Sequence, residues 1–315
     1  MPESLLDAAI LPRGRPACQP CTAGRNIRGR MQPRHVMDAA PAETTSTAAL
    51  TRARYASAPA LPPGPENETI RTMLEHRSIR GFRPDPLPPG TLEMLVAAAQ
   101  SAATSSNLQS WSVIAVEEPE RKARLSVLAA NQAFIRQAPL FLCFLADLSR
   151  KERVGSSFDI PMEALPYTES FLVAAVDAAL AAQNAVVAAE SIGLGTCYVG
   201  SLRNLPVEVA EELALPPNCM AVFGLSVGWP DPEALTEIKP RLPQSLVLHR
   251  ETYAVRDERA EVERYDADLL AFSRRNGMGD VAWVSRLRSR VGAIKGLSGR
   301  HQMREWLNRL GFGLK

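Results

Sequence analysis

An α+β fold, with a central mixed sheet flanked by helices, is what this sequence predicts. Three observations carry that expectation. Short apolar runs of strand length recur at 112–116, 139–146 and 221–227. Between them, residues 171–192 form one long helical pattern that is apolar nearly all round. Strands and helices do not alternate strictly, which argues against a doubly wound parallel sheet. The chain has 315 residues, 46% of them apolar, enough for a sizeable core. Lys and Arg number 36 against 34 Asp and Glu, a net charge of +2 that calls for neither nucleic acid nor an anionic membrane as partner. No apolar run reaches 18 residues, because Asp177, Gln183, Asn184 and Glu190 interrupt 171–192. The five scattered cysteines (18, 21, 143, 197 and 219) fit a reducing cytoplasm better than a disulfide framework.

Taken in order, residues 1–65 contain no lysine, are rich in Arg, Ala and Pro, and show no sustained apolar period. They read as a disordered or targeting-like extension, or as the product of an early start with Met37 as the alternative. Cys18 and Cys21 form a C-x-x-C that has neither a second ligand pair for zinc nor the strand–helix setting of a redox site. Ordered structure is expected from about residue 67, with a short amphipathic helix over 69–75. The prolines of 84–89 then enforce an extended linker. Thr91 is the expected N-cap of a helix over 92–102, which runs out in the polar turn formers 103–107. A strand at 112–116, a charged helix over 118–128 and a doubly buried strand over 139–146 follow. Residues 149–168 read as irregular. The helix 171–192 ends at Gly193 and Gly195; because it is apolar on most sides, a partner subunit is expected to cover part of it. A helix over 207–213, a strand over 221–227, a helix over 255–275 and an Arg-rich helical tail complete the chain. The domain reading is a disordered or targeting-like extension over 1–65, a core over 66–255 and a helical C-terminal extension over 256–315.

The common catalytic constellations are absent from the sequence: it has no H-E-x-x-H, no G-x-S-x-G, no P-loop, and a glycine pattern at 193–200 that follows a helix and misses the dinucleotide spacing. What stands out is His76-Arg77-Ser78-Ile79-Arg80, an imidazole, two guanidiniums and a hydroxyl within five residues. Guanidinium and hydroxyl donors in such a cluster suit a phosphate monoester, although a basic helix end would look the same. Lys239-Pro240-Arg241 is a second basic motif, held extended by proline. Scattered anion-binding segments of this kind can converge on one phosphorylated ligand that carries its own reactivity.

These segments, in this order, resemble the FMN-dependent nitroreductase superfamily, in particular its NADPH-preferring branch of oxygen-insensitive nitroreductases and NADPH–flavin oxidoreductases. The carrying motifs are 76–82, Ser105-Ser106-Asn107-Leu108-Gln109, the 182–195 run, Tyr198-Val199-Gly200-Ser201-Leu202-Arg203-Asn204, the 223–230 run and 239–243. The resemblance implies a nitroreductase-like, intertwined homodimer with FMN at the subunit interface and the C-terminal extension 256–315 wrapping the partner subunit. It implies that His76, Arg77, Ser78 and Arg80 bind FMN, with Arg80, Lys239 and Arg241 on its phosphate. Thr104 and Ser106 would line the flavin, Gln132 would reach its edge, and Tyr198, Val199, Gly200 and Ser201 would run along its other side. Arg203, Arg274 and Arg275 are the residues expected to meet the 2′-phosphate of NADPH, with a solvated helix end as the other reading of 274–275. The implied activity is two-electron, ping-pong hydride transfer from NADPH to a small-molecule acceptor (a nitroaromatic, a quinone or free flavin) in the cytoplasm. The alternatives are a non-catalytic flavin- or nucleotide-binding protein and another reductive member of the superfamily.

Overall fold

The computed structural model describes residues 45–315, of which Thr45–Lys315 form one compact unit. Met37 and the Cys18–Cys21 pair lie outside the described residues. The described chain begins with helix α1 (Thr47–Tyr55), capped by the Ser46 side chain. This corrects the expectation that order starts near residue 67. Apolar periodicity misses α1 because it buries just two side chains, Leu50 and the charged Arg54.

Helix α2 (Glu68–Glu75) is capped by Asn67, and α3 (Thr91–Gln100) is capped by Gly90 rather than Thr91. Gly90 takes a left-handed φ of 82°, and Thr91 becomes the first helical residue, its hydroxyl donating back to the Pro88 carbonyl at 2.7 Å. Strand β1 (Trp111–Val116), helices α4 (Pro119–Leu128) and α5 (Ala133–Gln137), and strand β2 (Leu140–Asp147) follow. Residues 149–157, expected to be irregular, form helix α6 (Ser149–Ser157). Its side chains are nearly all polar, so no apolar stripe betrays it. Next come the long α7 (Thr168–Ser191), β3 (Gly195–Val199), α8 (Pro206–Glu212) and β4 (Cys219–Gly228). Helices α9 (Arg259–Arg275), α10 (Trp283–Val291) and α11 (Met303–Arg309) close the chain.

The four strands make one sheet in the order β1-β2-β4-β3, and every pair in it is antiparallel. The expected mixed sheet is thereby corrected: among the described residues a parallel pairing survives only as the isolated bridge between Ser78 and Thr196. The continuous apolar runs report burial on two faces, not strand direction. Strand β2 shows this with period two. Phe141, Cys143 and Leu145 join one cluster with Leu125 of α4, Ile135 of α5 and Val209 of α8. Leu140, Leu142 and Phe144 join another with Leu95 of α3 and Ala178, Ala182 and Ala185 of α7. Helix α7 is long and apolar enough to cross a membrane by length and composition, yet it is the core helix of this sheet, slim because its buried positions are mostly alanine.

The C-terminal segment packs back on its own chain. Leu307 and Phe312 are buried with Ala174 and Met220, and the Phe312 ring meets Phe171 edge-on at 5.1 Å. Tyr265, Leu269 and Phe272 of α9 form a separate cluster with Leu242 and Trp283.

The two-faced core leaves no room at Gly224 of β4, where an added Cβ would sit 2.1 Å from Cζ of the buried Phe141. Gly224→Ala is expected to lower stability by about 1–3 kcal/mol through overpacking. Gly64→Ala, in open space, should leave it unchanged. Thermal melts of the two variants check the contrast.

Candidate functional site

The 76–80 motif leaves α2 as an extended segment and docks beside β3. Ser78 bridges Thr196, and the Ile79 amide donates to the Thr196 carbonyl at 2.8 Å. Gly195 is required here, because a Cβ would lie 2.6 Å from Ile79 Cγ1. His76 Nδ1 meets Glu190 Oε1 of α7 at 2.7 Å, and the Thr196 hydroxyl donates to the same oxygen at 2.8 Å. The imidazole thus pins the start of the motif to α7.

Lys239 and Arg241 come to this motif from the far end of the core. Burial together with Arg80, Arg286 and Arg241 pushes the Lys239 ammonium down to about 8. Its Nζ also lies 5.5 Å from the centre of the Phe272 ring. Arg286, on α10, was not singled out by the sequence, where it is one of many arginines in the tail.

Arg54 of α1 joins the two motifs. Its buried guanidinium donates from Nη1 to the Lys239 carbonyl at 2.9 Å, and from Nη2 to the carbonyls of Leu74 at 2.8 Å and His76 at 2.9 Å. The Arg241 amide in turn donates to the Arg54 carbonyl at 2.8 Å. Burial, with Arg241 and Arg77 adding repulsion, pushes Arg54 down to about 10.

Among the described residues, none of Arg54, Arg77, Arg80, Lys239, Arg241 and Arg286 forms an ion pair with a carboxylate. Arg77 also carries a buried Nε with no hydrogen-bond partner. A group of cations held together against their repulsion, with spare donors, fits a polyvalent anion such as the phosphate of FMN.

The other expected flavin-lining residues lie on two further segments. Thr104 and Ser106 belong to a tight loop in which Ser106, Asn107 and Gln109 have left-handed φ of 49°, 54° and 49°. Asp177 of α7, 1% exposed, holds this loop by accepting the Ser105 amide at 3.1 Å and the Ser110 amide at 2.9 Å. In the sequence Asp177 marked α7 as non-membranous; its anchoring role had no signal there. Strand β3 ends in Tyr198 and Val199, with Gly200 following it; the Tyr198 ring meets Phe223 edge-on at 5.2 Å and its hydroxyl donates to Gln183 of α7 at 3.3 Å. Ser201 donates to the Ala129 carbonyl at 2.8 Å, tying this turn to the α4–α5 loop that carries Gln132. Ala130 and Asn131 hold left-handed conformations in that loop, and the Gln132 carbonyl accepts from Ser126 at 2.8 Å.

The residues expected at the NADPH phosphate already have partners within the chain. Arg203 turns inward, beside Gly200, and donates to the Val222 carbonyl of β4. Arg274 pairs with Asp280 at 2.7 Å and Arg275 with Glu237 at 2.9 Å. Both pairs are exposed, so a phosphate would have to displace a carboxylate already in place.

Comparison with known proteins sets this geometry in context. The nitroreductase family model matches residues 73–229, and the C-terminal domain model of the same family matches 239–315. The FMN reductase (NADPH) of Bacillus subtilis is 42% identical over 226 residues, 70% of this chain and 90% of that protein. The NADPH-flavin oxidoreductase of Vibrio harveyi is 37% identical over 206 residues, 65% of this chain and 82% of that one. Among solved structures, NfrA2 of Bacillus megaterium superposes with a TM-score of 0.74 at 40% identity, over 79% of this chain and all of the other. Matching models over both parts of the core, and relatives this similar along most of their length, mean that this chain belongs to the nitroreductase family.

Proposed function

We propose that this protein is an NADPH-dependent FMN oxidoreductase that reduces nitroaromatics, quinones or free flavin. The observation that carries this reading is the joining of the 76–80 and 239–241 motifs, which Arg54 ties through the His76 and Lys239 carbonyls and the Arg241 amide, with Arg80, Arg286 and Arg241 all acting on Lys239. The donor chemistry of these motifs fits the FMN phosphate, and the docking of Ser78 against Thr196 of β3, the strand that leads into Tyr198 to Ser201, supports the same reading. When bound, FMN supplies the redox chemistry, taking hydride from a nicotinamide and passing two electrons to a second substrate.

The chain's own part is to bind and orient. Arg80, Lys239 and Arg241 hold the phosphate, with Arg77 and Ser78 as further donors. The Asp177-anchored loop presents Thr104 and Ser106, and the Ser201–Ala129 bond sets the loop that offers Gln132. Leu172, Val176 and Leu180, one turn apart on the outer face of α7, are 55%, 47% and 45% exposed. That apolar stripe supports a homodimer in which α7 packs across the interface. Cys143, Cys197 and Cys219 are buried thiols, with burial pushing Cys143 up to about 12, which suits a cytoplasmic setting.

Purified protein is expected to carry a flavin absorbance spectrum, or to gain one on adding FMN, and to oxidise NADPH with a nitroaromatic or quinone in parallel-line kinetics. Protein that takes up FMN yet leaves NADPH untouched would instead be a non-catalytic flavin-binding protein. Arg80→Ala is expected to weaken FMN binding about tenfold or more, the worth of a charged hydrogen bond, without lowering the melting temperature of the FMN-free protein, because it removes a repulsion on Lys239. Retention of wild-type affinity would show that Arg80 is not on the phosphate.

FMN affinity should also depend on pH. In the FMN-free protein Lys239 titrates at about 8, below the ordinary 10.5 of lysine. A phosphate beside it restores the higher value, so binding takes up a proton between those limits, and affinity is greatest below about pH 8. Above that, the dissociation constant should rise by at most about tenfold per pH unit. The linkage for folding has the opposite sign. The unfolded chain holds more protons across the same window, so this group stabilises the FMN-free fold as pH rises through it. Fluorescence titration of FMN at pH 7 and 9.5 checks the first effect, and Lys239→Met should flatten it.

A further inference from the structure

Arg54 lies outside both stretches that the family models match, which begin at 73 and 239. It is nonetheless the residue that touches both halves of the phosphate site. Its guanidinium is 7% exposed and spends its bonds on the carbonyls of Leu74, His76 and Lys239. Two of these end α2 at the root of the 76–80 motif, and the third is the backbone of Lys239 itself. The Arg54 carbonyl then receives the Arg241 amide. One residue therefore fixes the spacing between segments about 160 positions apart, through four hydrogen bonds to main chain. Helix α1 is held in place from the other side by Asp268 of α9, which accepts from the Ser57 amide at 3.1 Å and the Ser57 hydroxyl at 2.6 Å.

The charge is as telling as the geometry. A guanidinium buried on carbonyls alone has no counter-ion, and burial of an unpaired charge is costly. Of the groups acting on Arg54, Arg241 and Arg77 repel it, and the one carboxylate, Glu190, has the weakest influence and is itself engaged by His76 and Thr196. A bound phosphate would supply the missing negative charge.

We propose that Arg54, on the N-terminal helix, is a positioning residue of the FMN phosphate site: it holds the Arg80 and Lys239–Arg241 jaws at phosphate-binding separation and adds its own charge to their field. This rests on the FMN reading above. Arg54 acts through the jaws and leaves the isoalloxazine side alone, so its loss should be felt by the phosphate ester and not by the ring.

The test compares dissociation constants for FMN and for riboflavin, the same ring without phosphate, by quenching of flavin fluorescence. In Arg54→Gln the FMN constant is expected to rise about tenfold or more, with the riboflavin constant within about twofold of wild type. A merely structural role would weaken both together. Arg54→Lys keeps a charge but offers one compact ammonium to carbonyls on two segments, so its FMN-to-riboflavin preference should also fall, by a smaller factor. A wild-type preference in whichever variant folds, or equal weakening of both ligands, overturns the proposal. Arg80→Ala, measured alongside, separates the two levels. If Arg80→Ala loses the preference and the Arg54 variants keep it, Arg54 alone is misassigned; if Arg80→Ala also keeps it, the phosphate reading itself fails.

Discussion

The constraint on which this structure turns is electrostatic repulsion. Arg80, Arg286 and Arg241 all act on the half-buried Lys239, and Arg241 and Arg77 act on the buried Arg54. In the FMN-free chain that arrangement is unfavourable, as the depressed Lys239 ammonium records. A fold that gathers like charges must hold them by forces that do not depend on the anion. Here those forces are main-chain hydrogen bonds: the Ile79–Thr196 bond that docks the first motif on β3, and the Arg54 bonds that fasten both motifs to α1. Each jaw is fixed by its backbone, so its side chains remain available to a ligand.

The same logic explains why an antiparallel sheet and one long helix suffice. Strand β2, buried on both faces, is the rigid middle layer, and α7 lies along one side of it. Three polar residues on α7 then do the positioning. Asp177 accepts two amides of the 105–110 loop, Gln183 meets Tyr198, and Glu190 holds His76 and Thr196. A single helix thus sets the distances among three segments that expose the candidate flavin-binding side chains. The alanines between those polar positions let the helix lie close to the strands. The cost of burying Asp177 is offset by the hydrogen bonds it accepts, since a buried carboxylate needs every partner it can find.

How much of this is legible in the sequence follows from what each residue type signals. Strands β1, β2 and β4 and helix α7 are legible because apolar runs mark burial, and their bounds shift by a few residues at most, whereas β3 is too short and mixed to show such a run. Strand direction is not legible, since a doubly buried strand has the same composition either way. Helix α6 is silent for the opposite reason, being almost wholly polar. The basic motifs 76–80 and 239–241 stand out because arginine, lysine and proline occur there in a compact pattern. Arg54, Arg286, Asp177 and Glu190 do not, because each is a single charged residue whose meaning depends on what folds next to it. Arg54 sits in a proline- and alanine-rich stretch that looks like an extension. Arg286 is one arginine among several in a tail.

A cofactor bound at such a site becomes part of the fold's stability. A ligand that binds the folded chain and not the unfolded one stabilises by RT ln(1 + [L]/Kd), about 2.7 kcal/mol at a hundredfold excess over Kd. On the proposed assignment the gain has a local source: a phosphate beside Lys239 offsets the repulsion that Arg80, Arg241 and Arg286 exert on it. Every bond that tightens the two jaws also raises the repulsion within the FMN-free chain. Arg54 resolves that tension, because it binds the jaws through carbonyl oxygens, whose dipoles offset its charge, instead of through carboxylates, which would neutralise the field the phosphate needs. Carboxylates in place of those carbonyls would hold the guanidinium equally well and weaken the site.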